Sequence, residues 1–337
     1  MLTTFTGEFM IKIFQSIVVL FLMVASPLKA QLIPHLNIFK ENAPFPGFLY
    51  RPNSNDTHSA IIVLHGSEGG NSDFWYEGEA PQHTGESGFM PYMARYYATL
   101  GYVTYALCYF DCKHHLGHTS YPPDELKEVD LLRTTVQAME WLRGSSFVKE
   151  KKVFLLGGSR GAEQVVLLAS LLAKYKKQIP DLSIPDGVIA LSPSQVTIPA
   201  FTKEMATSII NGTMMSSSED KSAWYFGGPI ANYEPIEIEE YQGPLLVTYF
   251  TDDRVWGPRN NPMKLADRYF QSGVTPKLIK FNENDFAIDH ETNSISSLEG
   301  QTFIEFNMQG HVYAPYNSEA GNLQDLVVNE FLKQNSN

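Results

Sequence analysis

Cysteine is nearly absent from this sequence: only Cys108 and Cys112 occur among 337 residues. That excludes a disulfide scaffold, and a chain of this length buries enough surface to need none; an oxidising compartment would still let the two bridge each other. Positive charge is also scarce. Lys and Arg total 25 against 37 Asp and Glu, a formal charge of −12 with a pI near 5.2. No basic run is available to displace counterions from a phosphate backbone, so nucleic acid is not an expected partner. No self-similar period marks a solenoid or a propeller. Long apolar runs are missing too: Ile13 to Ser26 spans about 14 residues, too few at ~1.5 Å each to cross a hydrocarbon core of roughly 30 Å.

That run has the length of a signal-peptide core. Lys12 precedes it, and Ser26-Pro27-Leu28-Lys29-Ala30 follows, with Ala30 suited to stand before a cleavage point at Gln31. Residues 1–30 are therefore expected to be a signal peptide, with Met10 an alternative start and an uncleaved anchor the competing reading. Residues 31–337 are then a single domain, secreted or periplasmic, with no stable membrane insertion after cleavage. No Cys follows the run to carry a lipid.

What the chain does have is apolar material, 43% hydrophobic and 12% aromatic, enough for one large core. From Ser59 onward short apolar runs alternate with amphipathic stretches. Ala60–Leu64, Tyr102–Leu107, Val153–Leu156, Gly187–Leu191, Pro244–Phe250 and Lys277–Phe281 read as strands, most of them apolar at consecutive positions. Between them, helical periods occupy Met90–Leu100, Leu126 to Leu142 and Ala162–Lys174. Such alternation predicts an α/β chain with a mostly parallel central sheet and helices on both faces. Residues 194–242 lack a period and are rich in Ser, Met, Tyr and Pro; a cap-like insertion over the active edge is expected there, with Trp224, Tyr225 and Phe226 packing it.

The chemistry concentrates at Gly157-Gly158-Ser159-Arg160-Gly161, a G-x-S-x-G set between a strand and a helix. A sharp turn there forces the serine into strained geometry and leaves its hydroxyl exposed, the arrangement of a nucleophile elbow. The competing reading is a glycine-rich turn whose serine caps the helix. A serine nucleophile needs a histidine held by a carboxylate, in the chain order Ser, acid, His. Asp253, at the end of the Pro244–Phe250 strand, is the expected acid, with Asp252 its rival. His311, after Gly310 and before the last helix, is the expected base, with His290 its rival. The oxyanion hole takes one donor from the Arg160 amide and another from the glycine-rich loop His65-Gly66-Ser67-Glu68-Gly69-Gly70, with Ser67 favoured over Gly66. Cys112, His114, His115 and His118 have the residue types for zinc, but a polar loop is the simpler reading. No metal and no cofactor are expected.

These residues resemble a known family. The run from His65 to Gly70, the Leu156–Glu163 elbow, Asp252-Asp253-Arg254-Val255-Trp256 and Gly310-His311-Val312-Tyr313-Ala314-Pro315-Tyr316 look like the catalytic domain of the acyl-CoA thioesterase and bile acid-CoA:amino acid N-acyltransferase family, of dienelactone-hydrolase-like architecture. The resemblance implies an α/β-hydrolase fold and Ser159, Asp253 and His311 as the triad. Three features depart from it. The family's N-terminal β-sandwich has no counterpart, a serine replaces the cysteine of its transferases, and an exported enzyme would be parted from acyl-CoA. The expectation is an exported serine hydrolase that cleaves an ester or thioester of a small-molecule acyl substrate through an acyl-enzyme intermediate. A lactonase, an acyltransferase and a non-catalytic binding protein are the alternatives.

Overall fold

Ala60, Ile61, Ile62, Val63 and Leu64 are all fully shielded from solvent within strand β3 (His58–Leu64). A strand is apolar at consecutive positions only where both faces of its sheet are covered. Here alternate residues enter two different cores: Ala60, Ile62 and Leu64 join one, Ile61 and Val63 the other. The structure is a computed structural model that describes residues 38–41, 43–53, 58–66, 89–110, 129–200, 222–253, 262–282, 298, 300–310 and 319–336. All belong to one compact unit, Ile38–Asn337. The expected leader, Ser67, Cys112 to His118, His290 and His311 lie outside the described residues.

The central sheet has nine strands. Besides β3 these are β1 (Ile38–Glu41), β2 (Gly47–Pro52), β4 (Val103–Leu107), β6 (Val148–Gly158), β7 (Gly187–Leu191), β9 (Leu245–Asp252), β10 (Lys277–Asn282) and β11 (Gln301–Gln309), while β5 (Val129–Asp130) and β8 (Trp224–Tyr225) form a separate small pair. Across the sheet the order is β1-β2-β4-β3-β6-β7-β9-β11-β10. Strands from β4 to β10 are mutually parallel, and β2 and β1 close one end antiparallel. Helices α2 (Gln137–Gly144), α3 (Arg160–Lys176) and α4 (Met263–Gln271) bury Met139, Leu142, Leu168 and Tyr269 on one face. Helices α1 (Phe89–Thr99) and α5 (Glu319–Asn335) bury Met93, Tyr97, Val327 and Phe331 on the other.

Three details differ from the pattern expected of the sequence. Strands β1 and β2 precede the first expected strand. Gly47, at φ +139°, lets β2 lie close against β4, for a methyl group there would stand 2.2 Å from the Ala106 carbonyl oxygen. The apolar period through Leu126 and Val129 runs into β5 before the helix begins. There the Asp130 carboxylate accepts from the amides of Leu132 (3.0 Å) and Arg133 (3.2 Å), satisfying donors that a starting helix leaves free. A π-helical stretch, Leu132–Val136, then leads into α2. Finally, β10 is the sheet edge, because β11 inserts between it and β9.

Candidate active site

The Gly157–Gly161 sequence folds as a turn that needs its glycines. A methyl group on Gly157 would lie 2.1 Å from the carbonyl oxygen of Gly161, and one on Gly161 would lie 2.3 Å from Leu64 O and 2.6 Å from His65 O. The first turn of α3 therefore rests directly on the end of β3. Between the two glycines, Ser159 sits at φ 52° and ψ −116°, a region that costs a side-chain-bearing residue roughly 1–3 kcal/mol and persists only where the surroundings impose it. The Ser159 amide donates to Leu191 O (3.0 Å) and its carbonyl accepts from the Glu163 amide (3.0 Å). Its side chain makes no capping bond to the helix it precedes. The hydroxyl stands at the positive end of a 17-residue helix, where developing negative charge is favoured.

Arg160 and Glu163, the next polar residues, are buried completely for practical purposes, at 1% and 0% exposure. Arg160 Nη1 lies 3.3 Å from Glu163 Oε2, and Nη2 donates to Pro199 O at 2.9 Å. The guanidinium also sits 4.9 Å from the centre of the Trp224 ring. Glu163 Oε1 accepts from the Ile198 amide (2.7 Å) and the Trp224 indole (2.6 Å). Burial pushes the Glu163 carboxyl above its ordinary value, opposed by the Arg160 charge and by these hydrogen bonds.

His65 and Gly66, which begin the expected oxyanion loop, are described; Ser67 is not. His65 is wholly buried, with the Tyr109 ring stacked on it at 4.1 Å and Phe110 edge-on at 4.8 Å. The Tyr109 amide approaches Nε2 at 3.4 Å, its hydroxyl donates to His65 O at 2.6 Å, and Nδ1 lies 3.0 Å from Gly66 O. With Nε2 accepting, the ring proton is assigned to Nδ1. Cys108, just before Tyr109, is disulfide-bonded, and Cys112 is the only other cysteine in the sequence.

Strands β3 and β6 neighbour each other in the sheet while the chain leaves β3 toward β4 on its other side. The carboxyl ends of these two strands flank a topological switch point of the sheet, the place where open α/β sheets bind their ligands. His65 and Gly66 directly follow one of these strands and Ser159 the other. Asp252 ends β9, two strands further on from β6, and Asp253 follows it; Asp252 is exposed and Asp253 half-buried. Asp252 pairs in register with Gln309 of β11. Gly310 follows, and a methyl group on it would lie 2.6 Å from the Phe250 ring. His311 is the next residue, outside the described part, and so is its rival His290 beyond the edge strand β10.

The chain has the α/β-hydrolase fold. Its mixed-to-parallel strand order, its two helical layers and the sharp turn at Ser159 together define it. No protein-family model matches the chain, and no curated protein does. Among solved structures it is similar to esterase B from Lactobacillus rhamnosis (HN001), at 14% identity over 97% of this chain and 96% of that one, with a TM-score of 0.47. It is similar to the esterase Est22 at 12% identity over 90% and 83%, TM-score 0.48. The acylaminoacyl peptidase of Pyrococcus horikoshii is 11% identical over 89% of this chain but only 41% of its own length, TM-score 0.48.

Among the described residues no cluster of three or more His, Cys, Asp or Glu side chains is arranged to hold a metal. No described helix is long and apolar enough to cross a membrane. Of the segment expected as a cap, the described parts pack on α3: Ser170 Oγ donates to Glu237 O at 2.7 Å, and Phe226 stacks on Tyr175 at 5.3 Å. The role of Glu163 was not visible in the sequence. One signal was present, a carboxylate three residues after an arginine at the start of an apolar helix, but its other partners come from residues 198 and 224.

Proposed function

We propose that the protein is an exported serine hydrolase that cleaves an ester or thioester through an acyl-enzyme intermediate. The observation that carries the reading is the backbone of Ser159, held at φ 52° and ψ −116° between a buried strand and the start of α3 at the switch point of the sheet. In this reading Ser159 Oγ attacks the substrate carbonyl carbon as the His311 imidazole takes its proton. The oxyanion is held by the amides of Arg160 and Ser67. Collapse of the tetrahedral intermediate expels the alcohol or thiol, which leaves with the proton from His311. Water, deprotonated by the same imidazole, then releases the acid and regenerates Ser159.

Asp253 is preferred to Asp252 because a half-buried carboxylate, less solvated than an exposed one, holds an imidazolium more firmly. His311 is preferred to His290 on topology: β11 lies beside the acid-bearing strand β9, whereas β10 is one strand further away. The likeness to the thioesterase and acyltransferase family supports a thioester among the candidate bonds, and the apolar run at residues 13–26 supports export.

The test is labelling of the purified protein with a fluorophosphonate, read by intact mass. One adduct is expected, lost in Ser159→Ala and slowed at least ~100-fold in His311→Ala, with His290→Ala and Asp252→Asn close to the parent and Asp253→Asn strongly slowed. A parent that takes no label would favour a binding protein on a hydrolase scaffold. Loss of labelling in His290→Ala alone would reassign the base.

A further inference from the structure

We propose that Glu163 is a positioning residue for the oxyanion hole, and that through it the segment after β7 and the Trp224 segment are fastened to the nucleophile turn. The inference rests on the serine-hydrolase reading above, in which the Arg160 amide is a transition-state donor. Three segments of chain meet at this one residue: the nucleophile turn, the stretch at Ile198 and the stretch at Trp224. Its own amide holds the Ser159 carbonyl at 3.0 Å. One oxygen receives the Ile198 amide and the Trp224 indole, and the other faces the Arg160 guanidinium. Trp224 in turn belongs to β8, which pairs with β5, so residues 129–130 are drawn into the same assembly.

A buried ion pair is a poor source of stability, since apolar residues of similar volume commonly do as well. What it supplies is direction. Arg160 is gripped at both ends of its guanidinium, by Glu163 and by Pro199 O. Its side chain cannot rotate without breaking one of these bonds, and the peptide unit joining Ser159 to Arg160 is fixed by the same residue. That unit carries the amide expected to meet the oxyanion, and the strained backbone of Ser159 leaves little tolerance for drift. A catalytic group displaced by about 1 Å can lose ~100-fold in rate.

The experiment compares the parent with Glu163→Gln and with the double substitution Arg160→Met and Glu163→Met, in the full chain. Readouts are fluorophosphonate labelling rate, kcat and KM on p-nitrophenyl acetate, the pH dependence of kcat, and the thermal midpoint. Glu163→Gln keeps the volume and the acceptor for Ile198 and Trp224, but turns an amide toward the Arg160 donors. It is expected to fold, to lose about 10- to 100-fold in labelling rate and kcat, and to leave KM within about threefold and the pH midpoint of kcat in place. The double variant removes the directional grip without leaving a buried charge, and is expected to stay folded with the same loss of kcat. A folded Glu163→Gln with parental labelling, or a double variant with parental kcat, overturns the proposal. A parent that takes no label overturns the underlying hydrolase reading instead, and these two failures are told apart by the parent alone.

Discussion

At the scale of single residues, the nucleophile turn is a problem of space. Gly161 lies where a methyl group would stand 2.3 Å from one backbone oxygen and 2.6 Å from another, and the atoms in the way belong to the end of β3, which cannot yield like a flexible side chain. Gly161→Ala is therefore expected to destabilise the protein by about 1–3 kcal/mol in urea unfolding and to slow fluorophosphonate labelling. Gly144→Ala is the matched control, since beyond its chain neighbours and its own helix backbone nothing lies within 4 Å of the added methyl and the site is in a helix; a change between neutral and about +1 kcal/mol of added stability is expected there. Equal losses at both positions would refute the steric account. The same asymmetry explains what was legible. The glycines and the serine announce themselves because their spacing is local. The partners of Glu163 lie 35 and 61 residues away, and no pattern within a helix reveals them.

At the scale of elements, β3, β4, β6, β7 and β9 were readable because burial on both faces leaves a continuous apolar run. The strands missed were those that do not follow that rule: β1 and β2, at the antiparallel end; the two-residue strand β8; β11, where polar residues interrupt the apolar ones; and β5, whose Val129 continues the apolar spacing of the helix after it. Asp130 is what separates β5 from that helix. Its carboxylate takes up the Leu132 and Arg133 amides, and its carbonyl receives the Thr134 hydroxyl at 2.7 Å. Replacing it with Ala leaves those amides to water, and a loss of about 1 kcal/mol is expected in urea unfolding. Asp130→Asn, which retains an acceptor, should recover most of that loss. If Ala and Asn are equivalent, the turn is held by the β5–β8 pairing and not by the side chain. At the opposite end, β10 was recognised as a strand, but its place at the edge was not, because the exchange with β11 depends on pairing between residues far apart in sequence.

At the scale of the whole molecule, the sheet divides the interior into two cores, and the face formed by α1 and α5 carries a charge it does not neutralise. Asp325 of α5 faces Tyr96 and Tyr97 of α1, and burial alone raises its pKa from 3.8 to about 6. One turn further along α5, Asn329 donates to the Tyr96 hydroxyl at 2.6 Å, while its own Oδ1 is buried with no hydrogen-bond partner among the described residues. The folded state thus holds the Asp325 proton over a range in which the unfolded chain has lost it. Its contribution to stability is intact below about pH 3.8 and is lost as the pH rises through about 6. The interval corresponds to roughly 3 kcal/mol at the upper limit. Asp325→Asn removes the ionisation and keeps the shape. In urea unfolding the variant should match the parent near pH 4 and become progressively more stable than it up to about pH 6, with a constant advantage beyond. Taking the difference between the two proteins cancels the titration of every other carboxylate. A difference independent of pH would mean that Asp325 reaches water in the folded state, and that the packing of α5 on α1 tolerates its charge.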